Sequence, residues 1–282
     1  MFPLASTPSK ACSRCTVKAA LGALAQVGTH RRGRLPGLPG RLENVPQVAA
    51  PALRSRATPR ATLDPLRDPA KPPTFNRVMG DLASRIVGHY EKHAVAWDAD
   101  RQSSCWNDKI WHDRFIANLG EGAKVLDLGC GAGRPVAQHM AEHGLRVTGV
   151  DSSPAMISFC RERLPDEEWI IADMRQLALG RRFDGILAWD SFFHLGHDDQ
   201  RRMFPVFADH ASAGTVLMFN TGPQHGEGVD EYKGDPLYHA SLSPSEYRAL
   251  IGRFGFVVME HAMNDAAAGG RTVWLCRRGA SG

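Results

Sequence analysis

From Asp81 onward, apolar residues recur at helical spacing, with Leu82, Ile86, Tyr90 and Trp97 on or near one face and charges between them. A second amphipathic stretch, at about 105–118, carries Trp106, Trp111, Phe115 and Ile116. Together they predict a helical cap over residues 74–120, ahead of a core over 121–282. Beyond the cap the period alternates. "AKVLDLG" predicts a buried strand, and the helix after it opens at Pro135 and closes at Gly144. "LRVTGVD" predicts the second strand, after which Ser153 caps a helix begun by Pro154 and running to about Leu164. "EWIIAD" and "FDGILAWD" predict the third and fourth strands, a helix at about 198–211 follows, and "GTVLMFN" predicts the fifth. A helix near 244–254 and two strands near 256–262 and 271–277, joined through Gly269-Gly270, predict an antiparallel end pair.

Repeated strand-helix-strand units with apolar strands imply an α/β chain whose mostly parallel sheet is covered by helices on both faces. Composition sets the first part of the chain apart. Residues 1–73 hold eleven of the eighteen prolines, many arginines and few aromatics. Such a segment cannot offset its ordering entropy by burial, so it is expected to be a disordered basic extension. It fits a transit peptide, an interaction tail or a start assigned too far upstream; the last is preferred, with Met79 as the expected true beginning.

Charge follows the same division. Residues 1–60 carry ten Lys or Arg against one acid, Glu43, which leaves the remainder at −5 although the chain is +4 overall. A mildly acidic core argues against a nucleic-acid partner, which needs a clustered basic face. No run approaches about 18 apolar residues, so no membrane span is expected. Six scattered cysteines in a large domain point to a reducing, cytoplasmic setting. Cys12 and Cys15 form a CxxC pair without a second pair at finger spacing, so no metal is expected there.

The first strand leaves into "GCGAG", with Gly129, Gly131 and Gly133 at alternate positions. Such a turn lets a ligand approach backbone and lets the next helix pack closely. The dinucleotide fingerprint GxGxxG would want a third glycine at 134, where Arg134 stands, and that weakens an NAD(P) oxidoreductase reading.

"VLDLGCGAG" resembles the first motif of the class I S-adenosylmethionine-dependent methyltransferases, with Asp127 as its acid. The resemblance continues through "VTGVD", "IIADM" and "LAWDSFFHL" in the family's order and covers about residues 79–278. It implies a Rossmann-like three-layer sandwich on a seven-stranded sheet of order 3-2-1-4-5-7-6, the last strand antiparallel, and S-adenosylmethionine as cofactor. It also implies that Asp151 binds ribose hydroxyls, that Asp173 and the Met174 backbone take the adenine, and that Met156 walls it. Cys130 and Ser152 lie within these motifs and join the expected cofactor contacts. Tyr90 and Trp97 of the cap are expected over the methionine end.

Methyl transfer from a sulfonium is an in-line displacement that needs orientation and exclusion of water more than a base. If a base is used, His194 is the candidate, following the fourth strand and able to titrate near neutrality. Asp190 is expected to hold the methionine amine or the acceptor. Residues 220–242 predict a substrate-lid loop in which Tyr232, Tyr238 and His239 are candidate acceptor contacts. The chain lacks [DN]PP[YFW] after the fourth strand, any Pro-Cys pair, and an Asp beside Asn220. These absences discount amino-methylating nucleic-acid enzymes, cytosine-C5 enzymes and the metal-dependent catechol type. His89 with His93, and His139 with His143, have metal-pair spacing but are expected on exposed helix faces. A small-molecule acceptor, methylated on oxygen, nitrogen, carbon or sulfur, is the remaining expectation. A cofactor-binding protein without catalysis fits the same motifs.

Overall fold

A computed structural model describes the backbone of residues 73–280 and side chains from residue 78. The expectations for the N-terminal extension and its CxxC pair lie outside the described residues. Five strands follow the apolar runs: β1 (Lys124–Leu128), β2 (Arg146–Asp151), β3 (Glu168–Ile171), β4 (Phe183–Ala188) and β5 (Ala211–Thr221). Helices α4 (Val136–Glu142), α5 (Pro154–Arg163) and α6 (His197–Asp209) separate them, preceded by α1 (Pro73–Ser84), α2 (Ile86–Ser103) and α3 (Lys109–Ala117). After β5 come β6 (Gly226–Tyr232), β7 (Asp235–Ser241), α7 (Pro244–Arg253), β8 (Phe256–Asp265) and β9 (Arg271–Arg278).

The main sheet runs β3-β2-β1-β4-β5-β9-β8, with β9 antiparallel to both of its neighbours. This is the expected order once β6 and β7, which pair only with each other, are left out of the numbering. β1 is central: Val125 stands opposite Val147 of β2 and Gly185 of β4. Its alternation sends Val125 to one apolar layer, with Trp111, Phe115 and Ile157, and Leu126 to the other, with Phe192, Phe204 and Phe207. Two buried faces make the strands read as near-continuous apolar runs.

Helix starts follow local chemistry. The Ser153 hydroxyl accepts from the Met156 N–H at 3.1 Å, with Pro154 behind it in the first turn; Ser243 does the same for Glu246 at 3.2 Å ahead of Pro244. The second amphipathic stretch, expected in the cap, packs on the sheet. α3 buries Trp111 and Phe115 completely among the strand residues of one face, so it belongs to the sandwich. α2 lines the cavity at the strand ends, and α1 packs on α2 and β7. α2 is fastened to α5: Glu91 accepts from the Ser153 hydroxyl at 2.5 Å, and Asp98 pairs with Arg163 at 2.5 Å.

Residues 220–242, expected to be a loop, contain the β6–β7 hairpin. Its turn is Lys233-Gly234, both at positive φ (54° and 86°), the conformation of a two-residue hairpin turn whose twist matches the strands. The periodicity hid it because β6 has no buried residue and therefore no apolar alternation to read.

Candidate active site

The carboxyl ends of β1, β2, β3 and β4 converge on one cavity, where open α/β sheets place ligands. Asp127, Gly129, Cys130, Gly131, Asp151, Ser152, Met156, Asp173, Met174, Asp190 and His194 all line it, and α2 contributes Tyr90 and Trp97. Gly133 alone of the expected cofactor residues does not. The three glycines have three different jobs. A Cβ on Gly129 would stand 2.3 Å from the Ser191 Cβ, and one on Gly133 3.2 Å from the Cys160 sulfur, so these two make room for the protein itself. Gly131 has nothing within 4 Å, and its N–H donates at 2.9 Å to Asp151. That is the glycine whose bare side is open to a ligand.

Asp151 accepts at 2.9 Å from both the Gly131 and Ser153 N–H groups, which fix its carboxylate at the end of β2. Burial raises its pKa, and those hydrogen bonds only partly offset the rise. Asp127 is 3% exposed, and among the described residues no donor reaches its carboxylate. Burial, and then the charge of Asp151, push it up to about 7. A buried, unpaired acid beside a cavity is a receptor for a cationic group. The Cys130 thiol is also pushed well up by burial and stays protonated.

Asp173 does two things at once. It accepts from the Arg175 N–H at 2.9 Å, capping a short 3₁₀ turn, and pairs with the Arg175 guanidinium at 2.5 Å. Burial opposes its charge, but Arg175 outweighs burial and holds the carboxyl low. Asp190 is similarly engaged. Arg271 donates to both of its oxygens at 2.6 Å, and Asn220 donates at 2.7 Å while accepting the Asp190 N–H at 2.8 Å. Burial opposes this charge too, and Arg271 with Arg101 and Asn220 keeps it below its ordinary value. Asp190 thus anchors Arg271 across the cavity wall and is not an open receptor.

The expectation that His194 titrates near neutrality is corrected by its surroundings. It is 5% exposed, donates Nδ1–H to the Tyr238 carbonyl at 2.8 Å, and accepts the Tyr90 hydroxyl at Nε2 at 2.7 Å. Burial drives it down to about 4, so at neutral pH it is an uncharged acceptor that fixes the Tyr90 hydroxyl. Burial, with Asp190 and Asp151 nearby, raises the Tyr90 phenol far above its usual range.

A second cavity of about 540 Å³ lies beside the first. Tyr90, Trp97, Asp190 and His194 border both, and the hairpin with residues 220–228 walls the new one. Of the three expected acceptor contacts, His239 lines it. Tyr238 is buried with its hydroxyl donating to Glu227 at 3.0 Å, and Tyr232 packs on Trp97 and donates to Asp100 at 2.8 Å. The expectation of exposed histidine pairs holds for His143 and fails for His89 and His139. His89 is 8% and His139 is 6% exposed, the latter paired with Asp113 at 2.7 Å, because α2 and α4 each bury that face against neighbours. Arg271, Arg101, Arg175 and Trp189 complete the walls. No local motif marks Arg271, Arg101 and Trp189, whose partners Asp190 and Asp108 lie far along the chain.

Residues 125–214 match the family model described as a methyltransferase domain. Over that stretch the chain is similar to methyltransferase domains. The match begins at β1 and ends within β5, so it spans the parallel part of the sheet and leaves out the hairpin and α2. Trans-aconitate 2-methyltransferase of Escherichia coli O7:K1 (strain IAI39 / ExPEC) is 42% identical over 94 residues, 33% of this chain and 36% of that relative. The enzyme of the same description from Shigella flexneri serotype 5b (strain 8401) is 42% identical over 82 residues, 29% and 32% of the two chains. The match thus spans about a third of the relatives' length.

Solved structures with the same fold include the 1,6-didemethyltoxoflavin-N1-methyltransferase of Burkholderia thailandensis, at a TM-score of 0.56 and 19% identity, covering 76% of this chain and 94% of that one. CalS10, an amino pentose methyltransferase from Micromonospora echinaspora, aligns at a TM-score of 0.53 and 20% identity over 65% and 96% of the two chains. At these identities the likeness concerns the fold of the methyltransferase domain. No helix among the described residues is long and apolar enough to cross a membrane.

Proposed function

We propose that this chain transfers a methyl group from S-adenosylmethionine to a small molecule seated in the second cavity. The observation that carries the reading is the wall of Tyr90, Trp97, Asp190 and His194 that borders both cavities, so a cofactor in the first and an acceptor in the second would share it. The residues fit the cofactor's chemistry: Asp127 is an unpaired buried acid suited to an ammonium group, and Asp151 sits beside the open Gly131 with lone pairs suited to vicinal hydroxyls. Met156, Met174 and Trp97 offer apolar faces, and the Met174 backbone stands at the end of β3 for an adenine edge. The cofactor supplies an electrophilic methyl on a sulfonium, and the chain's work is to orient the acceptor, exclude water and leave the developing neutral sulfur unopposed.

Under this reading His194 and Asp190 are positioning residues. His194 holds the Tyr90 hydroxyl in the shared wall, and Asp190 holds Arg271 in the wall of the second cavity. The guanidinium is spent on Asp190 and Asp108, while Glu227 and Asp230 add carboxylates to the same cavity. That balance suits a neutral or basic acceptor better than a tricarboxylate such as the one named for the Escherichia coli relatives. The setting we infer is the cytoplasm, on the cysteine usage.

The NAD(P) alternative is disfavoured by topology as well as by Arg134. The dinucleotide fold extends its sheet with parallel strands, whereas here the strand next to β5 is antiparallel. The test is calorimetric titration with S-adenosylmethionine, S-adenosylhomocysteine and NAD, followed by a screen of basic, neutral and tricarboxylate acceptors. Both sulfur nucleotides should bind at micromolar affinity, Asp151→Ala should weaken them at least about 100-fold, and transfer should appear among the basic or neutral acceptors. Binding of NAD alone would end the methyltransferase reading. Cofactor binding with no transfer to any class would favour the non-catalytic one.

A further inference from the structure

We propose that His89, His93 and Asp235 form a binding site for a zinc-like divalent transition-metal ion that ties helix α2 to the β6–β7 hairpin. One ligand atom from each lies within 4.8 Å of the other two. The two imidazoles stand one helical turn apart on α2 with ring centroids 4.9 Å apart, and Asp235 opens β7 across from them. The His89 Nε2 is the second observation: it is buried, and no hydrogen-bond partner reaches it, although the residue is only 8% exposed. A buried imidazole nitrogen without a partner is a group whose partner has yet to be supplied.

Two imidazoles and one carboxylate suit zinc and its neighbours in the first transition row, and leave a fourth position to water. Ligand atoms around a tetrahedral ion stand about 3.4 Å apart, so the trio closes by small side-chain rotations. The His93 Nε2 is already 2.6 Å from the Asp235 Oδ2. Lys92, whose Nζ lies 2.5 Å from the same oxygen, is the competing cation, and its side chain is exposed and free to swing into water. The Tyr232 ring covers the trio, 5.9 Å from His89 and 5.6 Å from His93. A bound ion would thus fix the hairpin against the helix that carries Tyr90 and Trp97. The site stands independently of the methyl-transfer reading.

The experiment uses the full chain with Cys12→Ser and Cys15→Ser, which removes the CxxC pair as a competing ligand. Zn²⁺ is titrated calorimetrically, Co²⁺ by visible absorption, and amide exchange is followed over residues 226–241. One equivalent should bind per chain, His89→Gln and Asp235→Asn should each weaken it at least about 100-fold, and Lys92→Met should tighten it a few-fold. Zn²⁺ should slow hairpin exchange in the parent and not in Asp235→Asn, a half-exposed substitution whose far-UV circular dichroism checks the fold. No binding up to about millimolar metal, or binding that both substitutions leave unchanged, overturns the proposal.

Discussion

On the proposed reading, Asp127 is the buried side chain that receives the cofactor's ammonium group. Held up to about 7 by burial and Asp151, it is about half protonated at neutral pH. An ammonium group placed beside it would favour its charged form and drive that proton off. Binding of S-adenosylmethionine near pH 7 should therefore release about half a proton, read from calorimetry in buffers of different ionisation enthalpy, and affinity should rise as pH passes upward through 7. Asp127→Asn should bind with no proton release. The buried histidines act on stability instead. His112 and His194 are both lowered to about 4 by burial. The unfolded chain binds these protons first, so their contribution is complete above pH 6.5 and is lost as pH falls toward 4, at about 1.4 kcal/mol per unit for each. Asp127, raised rather than lowered, works in the opposite direction below pH 7. His112, both of whose ring nitrogens lack partners, isolates the effect. Denaturant unfolding of His112→Leu should lose about 2 kcal/mol less than the parent between pH 7 and pH 5. An equal loss in both would mean that His112 is solvated. The strand-end acids were legible in the sequence because a strand fixes where its last residue points. The state of His194 was not, since it depends on Tyr90 and Tyr238, 104 and 44 residues away.

The elements divide by what their burial demands. Strands β1, β2, β4 and β5 are covered on both faces, so they read as apolar runs, and a capping serine marked the start of α5. The hairpin escaped because one of its strands buries nothing; its only local signature is a Lys-Gly turn. α3 escaped as part of the sandwich for the opposite reason. Its amphipathic pattern says that Trp111 and Phe115 are buried, and nothing in that pattern says against what. The hairpin walls only the second cavity, apart from the Tyr238 carbonyl that holds His194. Gly234 sits at φ 86°, where a β-branched side chain is strained, so Gly234→Val should loosen the turn. Faster amide exchange over 226–241 and a severalfold higher acceptor KM are expected, with cofactor affinity changed less than twofold. Equal losses at both sites would place the hairpin over the cofactor as well.

At the scale of the molecule, the cavity proposed for the cofactor exists because α2 is held across the ends of the strands. The sequence order of the strands was readable from periodicity and motif, and the fastening of the cap was not, because it depends on pairs some sixty residues apart. The Asp98–Arg163 pair is the strongest of these: bidentate, with oxygen–nitrogen distances of 2.7 and 2.5 Å, and 65 residues apart. Arg163 also donates to the Ala132 carbonyl at 3.1 Å, so the same guanidinium joins cap, α5 and glycine turn. Both side chains are mostly shielded from water, and in that setting removing one partner strands the other's charge. Asp98→Ala should accordingly weaken S-adenosylmethionine binding about tenfold, chiefly through faster release, because α2 then opens more often. Replacing both partners by apolar groups, Asp98→Leu with Arg163→Met, should recover stability without recovering slow release, since packing replaces the charge but not the link to Ala132. Stopped-flow dissociation and thermal unfolding of the three proteins separate the two effects. If release and stability fall and recover together, the pair merely stabilises the fold and the cap does not gate the cofactor.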